Sequence, residues 1–382
     1  MKKGRISAAR KALAIAVAIG SALLCAWPMN SAASASSSQD QRLGGRARPV
    51  ITLQWPQFFG AGNEKSRDSA PRVLIPGGQA IGVAIRTQGV LVVGAGDNGR
   101  DSLREGDMIL SVNGVPLLES AMLTEAVNAA QGQPLSLRIS RGGQENDLLL
   151  TPRYDESSRA WRLGVWVRDS TAGVGTLTYY DPATGAYGAL GHAITDSDTG
   201  SLLPVREGAL MQAEIVDVRR GQRGAPGELR GSFLREQVTL GTVQVNTALG
   251  IYGRLEAPAA SALYPEGLPT ASRGQVHTGA ATILSTIAGQ EACEYAIEIT
   301  QVSRQSAAAP KSMVLRVTDE RLLSSTGGIV QGMSGSPILQ NGRLVGAVTH
   351  VLVNDPARGY GIFAQTMLKQ AANVSETPTA AG

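Results

Sequence analysis

Gly332-Met333-Ser334-Gly335-Ser336-Pro337 lies between an apolar pair, Ile329 and Val330, and an apolar run through Leu344, Val345, Ala347 and Val348. A serine bracketed by glycines between two strand-forming runs is how a nucleophile is carried on a tight turn, because glycine adopts backbone angles that other residues resist. Such a turn can aim amide N–H groups into a cleft, and those of Gly332 and Ser334 are the candidates for an oxyanion hole. Removing one donor from such a hole costs roughly 100- to 1,000-fold in rate. The plainer reading of the same residues is a β-turn without chemistry. Choosing between the two requires a base, an acid and a fold that assembles them.

A serine hydroxyl is a poor nucleophile near neutral pH and is activated by a base, usually histidine held by a carboxylate. The chain has three histidines. His192 stands in Gly188-Ala189-Leu190-Gly191-His192-Ala193-Ile194, a glycine-bracketed turn after a predicted strand, where small neighbours leave the imidazole room to face a cleft. His350 ends the strand that follows the serine turn and is the second candidate base; His277 lies in a polar stretch. For the acid, Asp319 closes a predicted strand fifteen residues before Ser334, whereas Asp196 and Asp198 are near His192 but read as turn residues. The role depends on geometry and not on separation along the chain. Histidines so scattered offer no metal-ligand spacing, so no metal or other cofactor is expected.

Composition sets the frame. Aromatic residues make up 4% of the 382 and glycines number 46, a balance suited to many short strands and turns. Of the 35 basic residues, five (Lys2, Lys3, Arg5, Arg10, Lys11) precede position 12, leaving 30 against 31 acidic residues beyond them. A body so near neutrality gives no reason to expect nucleic acid as a partner. Residues 1–33 read as an export signal or membrane anchor: a basic start, the sixteen-residue run 12–27, then Pro28 and a small-residue tract. That run falls between a cleavable signal and a spanning helix, which needs about 20 residues. Cys25 lies inside it, so removal of the leader leaves Cys293 alone and no intrachain disulfide. Residues 34–71, rich in Ser, Gln, Gly and Arg, read as a linker open to proteolysis.

Residues 72–152 carry Leu103-Arg104-Glu105-Gly106-Asp107-Met108-Ile109-Leu110-Ser111-Val112-Asn113-Gly114, a turn, a strand and a hairpin turn, followed by a predicted helix and a closing strand. This resembles a PDZ domain of the bacterial protease type. The resemblance implies a peptide-binding loop at Gln79, Ala80, Ile81 and Gly82, with the peptide adding as a strand beside 82–85. Beyond it, in 153–382, short runs at 163–167, 174–180, 213–218, 239–245 and 295–302 alternate with Gly- and Asp-rich turns, as in an all-β barrel or sandwich. Arg219, Arg220 and Arg223 make a basic turn that reads as a solvated loop.

The order His, Asp, Ser with the Gly-x-Ser-Gly-x-Pro turn resembles the chymotrypsin-like serine peptidases, although Asp319 is nearer the serine than their acid usually is. A narrower resemblance accounts for that spacing. A leader, a PDZ domain, Gly191-His192-Ala193-Ile194-Thr195-Asp196, the serine turn and Gly346-Ala347-Val348-Thr349-His350-Val351 running on to Arg358-Gly359-Tyr360-Gly361-Ile362-Phe363 are similar to the sporulation stage IV B serine peptidases. So is Arg168-Asp169-Ser170-x-Ala172-Gly173-Val174-Gly175-Thr176-Leu177. The resemblance implies catalytic His192, Asp319 and Ser334, and a mainly β fold with an N-terminal PDZ domain followed by a chymotrypsin-like β-barrel peptidase domain. It further implies export into the space between the forespore membranes, cleavage of the chain's own N-terminal segment, and cleavage of a membrane-bound regulator of an intramembrane protease. Two other readings are weighed against it. An exported quality-control protease usually carries the two domains in the reverse order, and a non-catalytic PDZ adaptor has little need for all three residues.

Overall fold

Two rings of antiparallel strands, with a smaller β-unit let into the first, form the body of the protein. The computed structural model describes residues 71–96, 103–232, 239–257, 261, 263–303 and 310–375. The leader and almost all of the linker lie outside these residues. Among the described residues no helix is long and apolar enough to cross a membrane.

The chain begins with β1 (Val73–Pro76) and the sixteen-residue β2 (Ala80–Ala95). The smaller unit adds β3 (Met108–Val112), β4 (Val115–Pro116), helix α1 (Ser120–Ala130), β5 (Leu135–Arg141), β6 (Gln144–Leu150) and the hairpin β7 (Arg153–Asp155) and β8 (Ala160–Arg162). A second long strand, β9 (Val165–Tyr180), returns to the first ring. There follow β10 (Ala186–Ala189), β11 (Val205–Gln212), the hairpin β12 (Glu214–Arg219) and β13 (Glu228–Ser232), β14 (Thr239–Thr247), β15 (Gly250–Leu255) and β16 (Leu268–Pro269). The second ring comprises β17 (Gly279–Ser285), β18 (Cys293–Val302), β19 (Met313–Val317), β20 (Pro337–Gln340), β21 (Arg343–Leu352) and β22 (Asp355–Phe363). Helix α2 (Glu320–Thr326) follows β19, and α3 (Ala364–Ser375) closes the described chain.

The first ring runs β9-β10-β15-β14-β11-β2 and closes because β2 also pairs with β9. Ile81, Val83, Ile85, Leu177, Tyr187, Leu210, Val243 and Ile251 fill it. The second is a closed barrel, β17-β18-β19-β22-β21-β20, filled by residues such as Ile283, Ile297, Ile299, Leu315 and Ile338. Strand alternation explains these elements: in β5, Leu135, Leu137 and Ile139 are buried while Ser136 and Arg138 face solvent. The expectation of a mainly β chain with a barrel peptidase domain therefore holds.

The domain boundary differs from the expected one, and the reason lies in β2. Its first half pairs with β11 on one edge, as Gly82 with Met211, and with β9 on the other, as Gly82 with Val174. Its second half pairs with β3 and with the start of β9, where Leu91 meets Met108 and Arg168. The β2–β9 register shifts between Arg86 and Leu91, and there the strand passes from the barrel to the PDZ unit. The PDZ core joins Val90, Val92, Leu103, Ile109, Leu123, Leu137 and Leu163. The PDZ unit thus interrupts the first barrel and does not precede it, and β1 with the first half of β2 belongs to the peptidase fold. This corrects the peptide-binding loop as well. Ala80, Ile81 and Gly82 are buried strand residues with both edges occupied, so no peptide can add beside 82–85.

Candidate active site

The serine turn is built between the two barrels. After α2 the chain runs alongside the β12–β13 hairpin, where Gln331 N–H donates to Gly227 O at 2.9 Å and Leu229 N–H to Gln331 O at 2.8 Å. The turn follows: Met333 N–H donates to Val330 O at 3.1 Å and Ser336 N–H to Met333 O at 3.0 Å. Met333, fully buried, pins it to the core of the second barrel. Gly335 has a φ of 97°, and a Cβ there would stand 2.1 Å from Thr176 O and 2.7 Å from Leu190 N, so the position admits only glycine. The first barrel holds the turn through Thr176, whose N–H donates to Ser334 O at 3.0 Å and whose hydroxyl donates to Gly332 O at 2.8 Å. Among the described residues the N–H groups of Gly332 and Ser334 donate to no protein acceptor. Both residues are half-buried, so these two N–H groups are open to a ligand oxygen or to solvent.

The histidine loop abuts this turn. Leu190, at φ 67°, and Gly191, at φ 72°, redirect the chain beside Gly335, and a Cβ on Gly191 would meet Thr349 and Ile362. His192 follows, half-buried, with its ring centroid 5.0 Å from that of His350. Its Nδ1 is 2.8 Å from Ala193 O. A carbonyl oxygen only accepts, so Nδ1 carries the hydrogen and Nε2 presents a lone pair. Burial lowers the His192 pKa, and the bond to the Ala193 carbonyl offsets part of that fall. His350 is lowered as well, to about 4, by burial first and then by the neighbouring His192 and Lys311.

Asp319 is placed differently from the expectation. It caps α2: its carboxylate accepts from Arg321 N–H at 2.9 Å, from Arg321 Nε and Nη2 at 3.0 and 2.8 Å, and from Ala296 N–H at 3.1 Å. These contacts hold its carboxyl well below the usual range, the Arg321 guanidinium contributing most. The Nδ1 hydrogen of His192 goes to Ala193 O, so Asp319 does not orient the imidazole in this structure. Asp196 and Asp198 bind Arg168 of β9 and shape the loop after His192. His277 is exposed. Thr176 and Arg168 both lie in the quoted 168–177 motif, but nothing in their sequence setting revealed that one would tie down the serine turn and the other the histidine loop.

Two β-barrels, with the Ser334 turn of one abutting the His192 loop of the other, are the arrangement of a serine endopeptidase. The chain belongs to the SpoIVB peptidase S55 family, whose model matches residues 159–368. Among solved structures it is similar to the Rv3671c protease from M. tuberculosis in its active form, at 15% identity and a TM-score of 0.31, covering 54% of this chain and 76% of that one. The inactive form of the same protease gives 14% identity and a TM-score of 0.28, covering 53% and 84%. The PDZ domain of the SdrC-like protein (Lmo2051) from Listeria monocytogenes gives 17% identity and a TM-score of 0.20, covering 21% of this chain and 87% of that one. A search of the curated proteins gives no match.

Proposed function

We propose that Ser334 is the nucleophile and His192 the base of an exported endopeptidase that cuts its own N-terminal segment and then a membrane-bound regulator of an intramembrane protease during sporulation. The observation that carries the chemistry is that, among the described residues, the Gly332 and Ser334 amides donate to no acceptor and the His192 imidazole has no partner at Nε2. Ser334 Oγ attacks the peptide carbonyl carbon while its proton passes to His192 Nε2. The carbonyl oxygen, now an anion, accepts from the Gly332 and Ser334 amides. Collapse expels the amine, which takes the proton back from Nε2, and leaves an acyl-serine. Water, deprotonated by the same nitrogen, releases the acid and restores the hydroxyl. General base assistance of this kind contributes about 100- to 10,000-fold. The sporulation role is supported by membership of the family and by the leader-like N-terminal sequence.

Purified Ser334→Ala protein should remain folded and full-length, while the parent chain shortens from its N-terminal side, as read by intact mass. The loss of rate should approach the roughly million-fold known for removal of a catalytic serine. A shortened form that persists in pure Ser334→Ala protein would exclude this nucleophile. Incubating membranes that contain the regulator with each protein tests the second cleavage separately.

A further inference from the structure

The single hydrogen bond of the His192 ring among the described residues is donated by Nδ1–H to the carbonyl oxygen of its own neighbour, Ala193. The other end of that peptide group is also fixed. Ile194 N–H donates to Asn246 Oδ1 at 2.8 Å, and Asn246 Nδ2 donates to Ile194 O at 2.6 Å and to Leu203 O at 3.0 Å. Asn246 is 6% exposed on β14, a wall of the first barrel, where it pairs with Ile251. Its amide therefore uses its acceptor and both donors on the two arms of the histidine loop. Because a peptide group is planar, holding the N–H of Ile194 fixes the direction of the Ala193 carbonyl.

We infer that Asn246 is a positioning residue for the reaction: through the rigid 193–194 peptide it aims the carbonyl that keeps His192 in the Nδ1–H form with Nε2 toward Ser334. This rests on His192 being the base for Ser334. A neutral carbonyl performs the orienting half of a triad carboxylate's work, fixing tautomer and ring direction. It supplies no full negative charge to the imidazolium that forms. The carboxylate expected in that place, Asp319, is engaged by Arg321 and Ala296.

The test uses the full chain, with ¹⁵N-histidine for long-range ¹H–¹⁵N spectra at pH 8. The His192 signal is assigned with His277→Gln and His350→Gln. In the parent protein, made in the Ser334→Ala background to prevent processing, His192 should show the Nδ1–H tautomer. Asn246→Ala should give a mixture with the Nε2–H form and, with Ser334 restored, slow first-order self-cleavage about 100-fold, the scale of a small misplacement of a reacting group. Asn246→Asp keeps an acceptor facing Ile194 N–H and should recover part of both losses; it also serves if the alanine variant does not fold. Asp319→Asn should leave the tautomer unchanged. An Nε2–H tautomer in the parent protein would overturn the inference. So would slower cleavage by the Asn246 variants without a change of tautomer, or no change in either. Absence of Ser334-dependent cleavage in the parent chain would instead remove the proposed function, and the spectra would still decide the role of Asn246.

Discussion

His350 stands half-buried on β21 with Nδ1 enclosed and, among the described residues, without a hydrogen-bond partner. Both imidazoles at the site are thus held toward their neutral forms, with different consequences. A base must be unprotonated, so the lowered pKa of His192 should place the acid limb of the cleavage rate below the ordinary histidine value of 6.5. A profile that instead fell away above 6.5 would contradict this. For His350 the consequence is stability. Between 6.5 and about 4 the unfolded chain takes a proton that the native protein does not, so native stability drops as pH falls through that window and levels off below it. The loss is about 3 kcal/mol at most. Urea titrations of Ser334→Ala protein at pH 7 and 4.5 should show it, and His350→Gln should reduce the difference without abolishing it, because His192 is lowered in the same direction. Scarcity made the site legible here, since three histidines left few candidates for the base. Asp319 follows a strand and begins a helix at once, so its sequence setting fits two roles. Asp319-Glu320-Arg321-Leu322-Leu323 is also an N-cap followed by a first turn, and the structure takes that option. Asn246 had no local signal: within Val245-Asn246-Thr247 nothing separates a buried amide with three partners from an exposed one.

The elements that bring the site together depend on close backbone approaches. At Gly335 the serine turn rests on Thr176 of β9 and Leu190 of the histidine loop, with its N–H donating to Val348 O at 2.8 Å. Gly335→Ala would force a methyl group onto a backbone carbonyl at a positive φ, where neither partner can rotate away. Strain of this kind costs about 1–3 kcal/mol, and overpacking adds a similar amount. The variant should melt earlier and cleave far more slowly; Gly342→Ala, at a turn with open space around the glycine, should keep its cleavage rate. The short strands and turns of the barrels were readable from alternation and glycine spacing. The division of labour along β2 was not. One continuous strand serves two cores, and the sequence marks the change only by the polar step Arg86-Thr87-Gln88-Gly89, which reads equally as an interior irregularity. Hence the PDZ motif is legible in the sequence, while the start of that unit and the pairing of both edges of residues 82–85 are not.

At the scale of the whole molecule, an inserted unit is joined to the histidine loop by side chains as well as by the shared strands. Arg168 and Asp169 sit side by side on β9 and point to different partners. Asp169 accepts the N–H of Ser120, at the start of α1, at 2.7 Å. Arg168 binds Asp196 and, at 2.8 Å, Asp198 in the loop that follows His192. Beside them Leu91 and Met108 of the PDZ unit pack on Leu203, with Leu110 and Ile194 at the margin. The two ion pairs are unequal. Asp198 is 51% exposed, and a pair in that setting contributes about 0–1 kcal/mol. The Asp196 side chain is fully buried, but it keeps donors from Asp198 N–H, Thr199 N–H and the Thr199 hydroxyl when the arginine is lost. Arg168→Ala should therefore cost about 1.5–3 kcal/mol, the range of a hydrogen bond to a charged group, and should not unfold the chain. Asp198→Ala should cost less, and Asp196→Ala more, because it also removes the acceptor that closes the loop on itself. Amide hydrogen exchange separates the local effect from the global one. In Arg168→Ala the amides of Asp198, Thr199 and Gly200 should exchange faster while those of the second barrel change only with overall stability, and self-cleavage should slow in proportion to the loop's loss of order. Unchanged exchange in the loop would mean that the apolar contact of Leu91 and Met108 with Leu203 alone joins the PDZ unit to the loop bearing His192.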